Sequence, residues 1–223
     1  GTIAKHILSM GVSLVAAAGA PWFILPSDLV GYAKLTTTNV STAGAKTITM
    51  TPIAATAAKV DRYPNGEGLR MFVASYAAMG ANAPTMQVTY TNSAGTTGRT
   101  TTAGIVSTAS ATSGVLLNSG NAANKVGPFL NLAAGDTGVK DIESLTWGGT
   151  AHASGSVFVG LCKPLCMPIP VPATGLFNLV DFVNTLPSMP RLRNGANVQF
   201  LIFATGATTS GATLYTTFDY GWN

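Results

Sequence analysis

The sequence predicts an all-β protein, a β-sandwich of jelly-roll type with an apolar N-terminal arm. Three observations lead there. Apolar and polar residues alternate with a period of two in several segments, as at Thr85-Met86-Gln87-Val88-Thr89-Tyr90-Thr91. Turn-forming Gly, Asn, Ser and Pro recur between those segments, with no repeat of fixed period. Helical periodicity is weak beyond the first 25 residues.

Taken in order, residues 1–31 read as arm and linker and residues 32–223 as the sandwich. Ile3, Ile7, Leu8, Val12 and Leu14 fall roughly at helical spacing and predict one short helix. Trp22, Phe23, Ile24 and Leu25 then run into Pro26-Ser27-Asp28, a turn signal. Strands are expected at Lys46–Thr51, Leu69–Tyr76, Ile142–Trp147, Ser156–Cys162, Asn197–Ala204 and Thr213–Tyr220. The alternating run 85–91 pairs with the Thr-rich run 96–102 across Asn92-Ser93-Ala94-Gly95, as a hairpin. Linkers are expected at Ser110–Asn124 and Thr205–Ala212. Residues 176–183 predict a helical turn or two, stopped by Pro187. Pro164, Pro168, Pro170 and Pro172 lack the N–H that a regular ladder needs, so their segment is expected at an edge or as an extended connector.

Composition bears on function more than any motif does. The chain has 12 Lys and Arg and 8 Asp and Glu, 9% of its 223 residues, whereas soluble domains average about 25%. Thr, Ser, Asn, Ala and Gly stand in place of charge. They lose little on desolvation and suit surfaces that end against other protein. An assembly-forming structural protein is therefore expected, ahead of a secreted or cell-surface β domain. The assembly contacts are expected on the arm, at Ile7, Leu8, Val12, Leu14, Trp22, Phe23, Ile24 and Leu25. On this reading, deleting residues 1–25 removes oligomer contacts and leaves the β domain folded. The uncharged run Ile7–Leu25 also has the look of a signal sequence or membrane span, but Gly11, Gly19 and Pro21 weaken that reading. The net charge of +4 is scattered, and only Arg191 and Arg193 lie close together. Nucleic-acid binders cluster such residues on one face, so no nucleic-acid partner is indicated.

No catalytic residue, cofactor or metal site is expected. His6 and His152 are the only histidines, no Gly-x-Ser-x-Gly elbow is present, and His152 reads as an ordinary loop residue. Asp61 and Glu67 flank what reads as a solvated turn. Gly44-Ala45-Lys46-Thr47 lacks the upstream glycine of a phosphate loop, and Asn39-Val40-Ser41 is a glycosylation triplet that matters only in a secretory setting. Gly135-Asp136-Thr137-Gly138 with Asp141 and Glu143 lacks the spacing of a calcium loop and reads as a hairpin turn. Cys162 and Cys166 would lie about 13 Å apart along a strand, too far for a disulfide, and read as two buried thiols on one strand face.

Two segments, Leu130–Lys140 with Leu161-Cys162-Lys163-Pro164-Leu165, and Asn184–Arg191 with Ala204-Thr205-Gly206 and the aromatic C-terminal run, together with the hairpin Val88–Arg99, resemble structural proteins of tailed-bacteriophage particles. The resemblance implies a virion location and a capsid-bound decoration or cement protein. It implies homo-oligomers and other capsid subunits as partners, no small-molecule substrate, and no active-site residues. The alternatives are a major capsid or tail subunit, or a carbohydrate-binding surface module using Tyr63, Tyr76, Trp147 or Trp222. An outer-membrane barrel is less favoured because the strands look short and irregularly spaced. An enzyme comes last.

Overall fold

In Ser9-Met10-Gly11-Val12-Ser13-Leu14 small residues alternate with large apolar ones, and this run forms a strand, not the expected helix. Met10, Val12 and Leu14 are fully buried on one face while Ser9 and Ser13 face outward. The helix expectation failed because Gly11 costs a helix about 1 kcal/mol, and because period two buries all three large residues on one sheet face.

The structure, a computed structural model, describes residues 5–15, 22–52, 62–102, 105–107, 110–111, 113–117, 128–171, 175–185, 189–204 and 213–222. Among these the elements are β1 (Lys5–Val15), β2 (Trp22–Leu35), α1 (Thr37–Val40), β3 (Gly44–Thr47), β4 (Thr51–Pro52) and β5 (Arg70–Ala77). They continue with β6 (Thr85–Asn92), β7 (Arg99–Thr100), β8 (Ile105–Val106), β9 (Val139–Gly148) and β10 (Ser156–Pro164). The last are β11 (Ile169–Val171), β12 (Phe177–Asp181), α2 (Phe182–Thr185), β13 (Arg191–Leu192), β14 (Val198–Ala204) and β15 (Thr213–Trp222). The protein is all-β, built from antiparallel sheets as the alternation predicts. The jelly-roll order remains an expectation.

Contacts divide the chain into two units, Gly1–Asp28 with Pro164–Asn223, and Leu29–Lys163. The sequence pattern places the division at residue 31 instead. The grouping differs because β1 is not an arm. It lies inside a sheet, paired with β15 over Lys5–Val15 on one side and with β12 and β13 on the other.

In the first unit the second sheet is built on the N-terminal half of β2. Ile24 pairs with both Ile169 of β11 and Ile202 of β14. The predicted turn at Pro26 is absent, and β2 runs straight through it. Pro26 faces Phe200 of β14, and its carbonyl accepts the Leu165 N–H at 3.0 Å. The core between the two sheets holds Ile7, Met10, Val12, Leu14, Trp22, Ile24, Ile169, Val171 and Phe182. Each such side chain adds about 1.5–3 kcal/mol on burial. The proline-punctuated segment contains β11, which sits at the end of its sheet as expected. Of the predicted helical turn at 176–183, only Phe182 and Val183 are helical, and the residues before them form β12.

In the second unit β6 and β9 pair over eight positions, from Thr85↔Gly148 to Asn92↔Val139, and β10 pairs with β5. Met86, Val88, Tyr90, Leu145 and Trp147 from one sheet pack with Met71, Val73, Val157, Val159 and Leu161 from the other. The hairpin after β6 is present, but its return strand is only Arg99–Thr100. Gly66 has φ +66°, and an added Cβ there would collide with the backbone of Val139, so this crossing requires glycine. The expected linker Thr205–Ala212, most of Ser110–Asn124, and Asp61 lie outside the described residues.

Candidate functional site

The eight residues expected to make assembly contacts are mostly unavailable to a neighbour. Ile7, Val12, Leu14, Trp22, Ile24 and Leu25 are buried in the chain's own interior. Leu8 and Phe23 alone keep partial exposure. The correction has a simple cause. An uncharged, apolar run has the composition of a surface awaiting a partner, but most of its large side chains fill the core between two sheets.

The opposite face of the same sheet is different. Register places Phe177, Ser13 and Tyr215 in one row, Leu179, Gly11 and Thr217 in the next, and Asp181, Ser9 and Asp219 in a third. The Ser9 hydroxyl donates to Asp219 at 2.6 Å, which shows that these rows share a face. The Phe177 ring and the Thr217 hydroxyl lie over Gly11, where a Cβ would collide with both. Phe177, Leu179 and Tyr215 are each nearly 60% exposed, and Val15, in phase with Ser13, is 43% exposed. This apolar face comes from period-two alternation in β12 and β15, whose inward residues Val180, Leu214 and Phe218 pack on the core. Sequence reading singled out none of its members. Alternation in Thr213–Tyr220 marked the two faces but gave no sign of which was outward.

A polar cluster in the second unit occupies the segment considered for calcium. Asp136 accepts hydrogen bonds from the Tyr90 hydroxyl at 2.6 Å, Asn92 Nδ2 at 2.8 Å and Arg99 Nε at 3.0 Å. The Tyr90 hydroxyl in turn accepts the Ala133 N–H at 2.8 Å, and Arg99 Nη2 donates to the Ala134 carbonyl. Burial alone would raise the Asp136 pKa. The bonds from Tyr90, Arg99 and Asn92 and the Arg99 charge outweigh it and hold the carboxyl at about 2. Tyr90 is pushed up to about 12, first by burial and then by its bond to Asp136. Both carboxylate oxygens are engaged by protein donors. The cluster therefore ties the loop before β9 to β6 and β7. Glu143 is likewise used locally, accepting the Thr91 hydroxyl and the Gly98 N–H. Among the described residues, no group of three metal-ligating side chains occurs.

His152 is not an ordinary loop residue. It is fully buried, its Nε2 lies 2.8 Å from the Ser107 hydroxyl, and its ring meets Trp147 edge-on at 5.3 Å. Burial lowers its pKa, while contacts with the backbone at Gly80 and Asn82 oppose the shift, and no carboxylate takes part. Ser107 is buried as well, so the pair acts as a packed polar bridge. Of the aromatics considered for sugar stacking, Tyr63 and Trp147 are core residues. Tyr76 is exposed beneath the Lys34 ammonium, 3.7 Å from its ring centre, and Trp222 is exposed beside Tyr220.

Cys162 and Cys166 are not joined in a disulfide, as the spacing argument requires, but only Cys162 lies on a strand. Burial pushes the Cys166 thiol up to about 12. Since the thiolate is the nucleophile, neither cysteine is expected to react promptly with a thiol reagent at pH 8. Labelling of the native protein should be at least about tenfold slower than in denaturant. Comparably fast labelling of both thiols in the native state would contradict this placement.

No helix among the described residues is long and apolar enough to cross a membrane. No protein-family model, curated protein or solved structure matches the chain.

Proposed function

We propose that this chain is a structural component of a virus particle, a capsid-bound decoration or cement protein that stabilises a shell through repeated subunit contacts. The observation that carries the reading is the exposed apolar face of Val15, Phe177, Leu179 and Tyr215 on the β12–β1–β15 sheet. With an aromatic side chain worth about 150–250 Å², the exposed fractions amount to about 400 Å² of apolar surface. That is already the size of a functional patch on a monomer. Interfaces are about 57% apolar, so such a patch corresponds to about 700 Å² per partner, near the standard 800 Å². The charge deficit supports the same reading, because few charged groups must be desolvated when such surfaces meet. The contact surface is thus assigned to the outer face of the first unit, in place of the buried residues of β1 and β2.

The test is the mass in solution by light scattering at 10 to 100 µM (about the range in which weak assemblies form). The unaltered protein is expected to exceed the 22.7 kDa of one chain, and Leu179→Lys with Tyr215→Lys is expected to return it to one chain mass. Unaltered protein that stays monomeric throughout would overturn the reading. The exposed Tyr220–Trp222 pair favours a carbohydrate-binding surface module as the second reading; a glycan array without hits would remove it.

A further inference from the structure

We propose that His152 is an acid-sensitive latch, holding three chain segments together while neutral and releasing them when it takes up a proton. The inference stands apart from the assembly reading. The segments meet around the connection from β9 to β10. The Gly80 N–H donates to the Ser154 carbonyl at 3.0 Å, and the Asn82 side chain donates to the Ala151 carbonyl at 2.7 Å. The Ser110 N–H donates to the Gly80 carbonyl at 3.0 Å, and the Ser107 N–H to the Pro84 carbonyl at 2.8 Å. Ser110 holds its place at φ +48°, the one positive φ outside glycine among the described residues. Such a conformation persists only where the surroundings enforce it. His152 is fully buried among these crossings, with Nε2 against the Ser107 hydroxyl and its ring against Trp147.

A neutral imidazole suits this place and an imidazolium does not. The Ser107 hydroxyl can turn to donate or to accept, so Nε2 is served in either state. Nδ1 is buried with no hydrogen-bond partner among the described residues, and a charged ring needs an acceptor there. No counter-charge is at hand. Residues 78–84, 105–111 and 147–156 include no Asp, Glu, Lys or Arg. On β6 the one titratable group is Tyr90, bonded to Asp136. β3, opposite Trp147 at Gly44, offers only Lys46, a like charge bonded to the Ala43 carbonyl. Lys140, Asp141 and Glu143 lie at the far end of β9, and Lys163 at the far end of β10. A buried ion without a partner is costly, so a protonated His152 draws the segments open to water. Burial accordingly holds its pKa below the ordinary 6.5, and the open form binds the proton more readily. The closure that His152 supports is therefore full above about pH 6.5 and is lost as pH falls below that value.

Hydrogen exchange, expressed relative to an unstructured chain at the same pH, reads the latch directly. Histidine changes charge between about pH 7.5 and about pH 5, while Asp136 stays ionised. Over that interval, protection at the Gly80, Ser107 and Ser110 amides is expected to fall about tenfold, the equivalent of one pKa unit. Amides of the β6–β9 ladder are expected to keep theirs. His152→Gln, which cannot take the proton, is expected to remove the pH dependence, and His6→Gln, at the other histidine, to leave it in place. Unchanged protection at the lower pH, an equal fall in His152→Gln, or no fall in His6→Gln overturns the latch. Should His152→Gln fail to fold, the ring C2 proton of His152 in the unaltered protein decides by NMR. A shift over the same pH interval as the loss of protection supports the latch, and a loss without that shift overturns it.

Discussion

Replacing Asp136 with alanine is expected to destabilise the second unit by about 2–4 kcal/mol. The carboxylate receives three donors from three separate chain positions. Hydrogen bonds to a charged group contribute about 1.5–3 kcal/mol, and a buried donor left unmet costs about as much. The donors are not equivalent. Arg99 is 35% exposed and can turn to water, whereas Tyr90 is fully buried and cannot. Asp136→Asn keeps the shape but turns an amide toward the donors, so a smaller loss is expected. The same cluster sets an acid limit. Asp136 has its folded pKa depressed from 3.8 to about 2, so the unfolded chain binds the proton more readily. Its contribution is full above about pH 4 and is lost as pH falls toward 2. Hydrogen exchange at the Val88 and Tyr90 amides as a function of denaturant would measure both effects. Unchanged protection in Asp136→Ala would show that the cluster is decorative.

Val12→Asp is expected to unfold the first unit outright. The substitution removes about 1.5–3 kcal/mol of apolar burial and places an unpaired carboxylate among Met10, Leu14, Trp22 and Ile24, which costs several kcal/mol more. The sum approaches the 5–15 kcal/mol by which a whole domain is stable. Limited proteolysis with mass-spectrometric mapping should then show rapid cleavage within 164–223. The same logic replaces the expectation drawn from sequence for truncation. Removing residues 1–25 takes away a central strand and the first four residues of β2, and with them the fold of the unit. A Val12→Asp protein as protease-resistant as the unaltered one would restore the arm.

Much of the second unit was legible in the sequence. Thr85–Thr91 alternates without interruption, and its inward residues Met86, Val88 and Tyr90 are all buried. Local pattern suffices there because β6 is flanked by strong turn residues and one face is apolar throughout. The first unit was harder to read. Local spacing in β1 suggests a helix on an arm because its partners, β12, β13 and β15, lie more than 160 residues away. No local period reports such pairing. Pro26 suggested a turn for the same reason, since only the neighbouring strands show that its missing N–H is tolerated.

What the sequence determined by itself is the all-β class, the approximate positions of most later strands, and the absence of a disulfide between Cys162 and Cys166. These follow from side-chain period, turn chemistry and charge, which act over a few residues or on composition. Tertiary structure alone decided which side of each alternating strand faces out. It buried Ile7, Val12 and Leu14, left Phe177, Leu179 and Tyr215 exposed, and gathered Tyr90, Asn92, Arg99 and Asp136 into one cluster. The physical reason is that a strand presents two faces of equal standing until another layer covers one of them. Alternation can sort residues between the faces, but only the packed core selects the face that stays exposed.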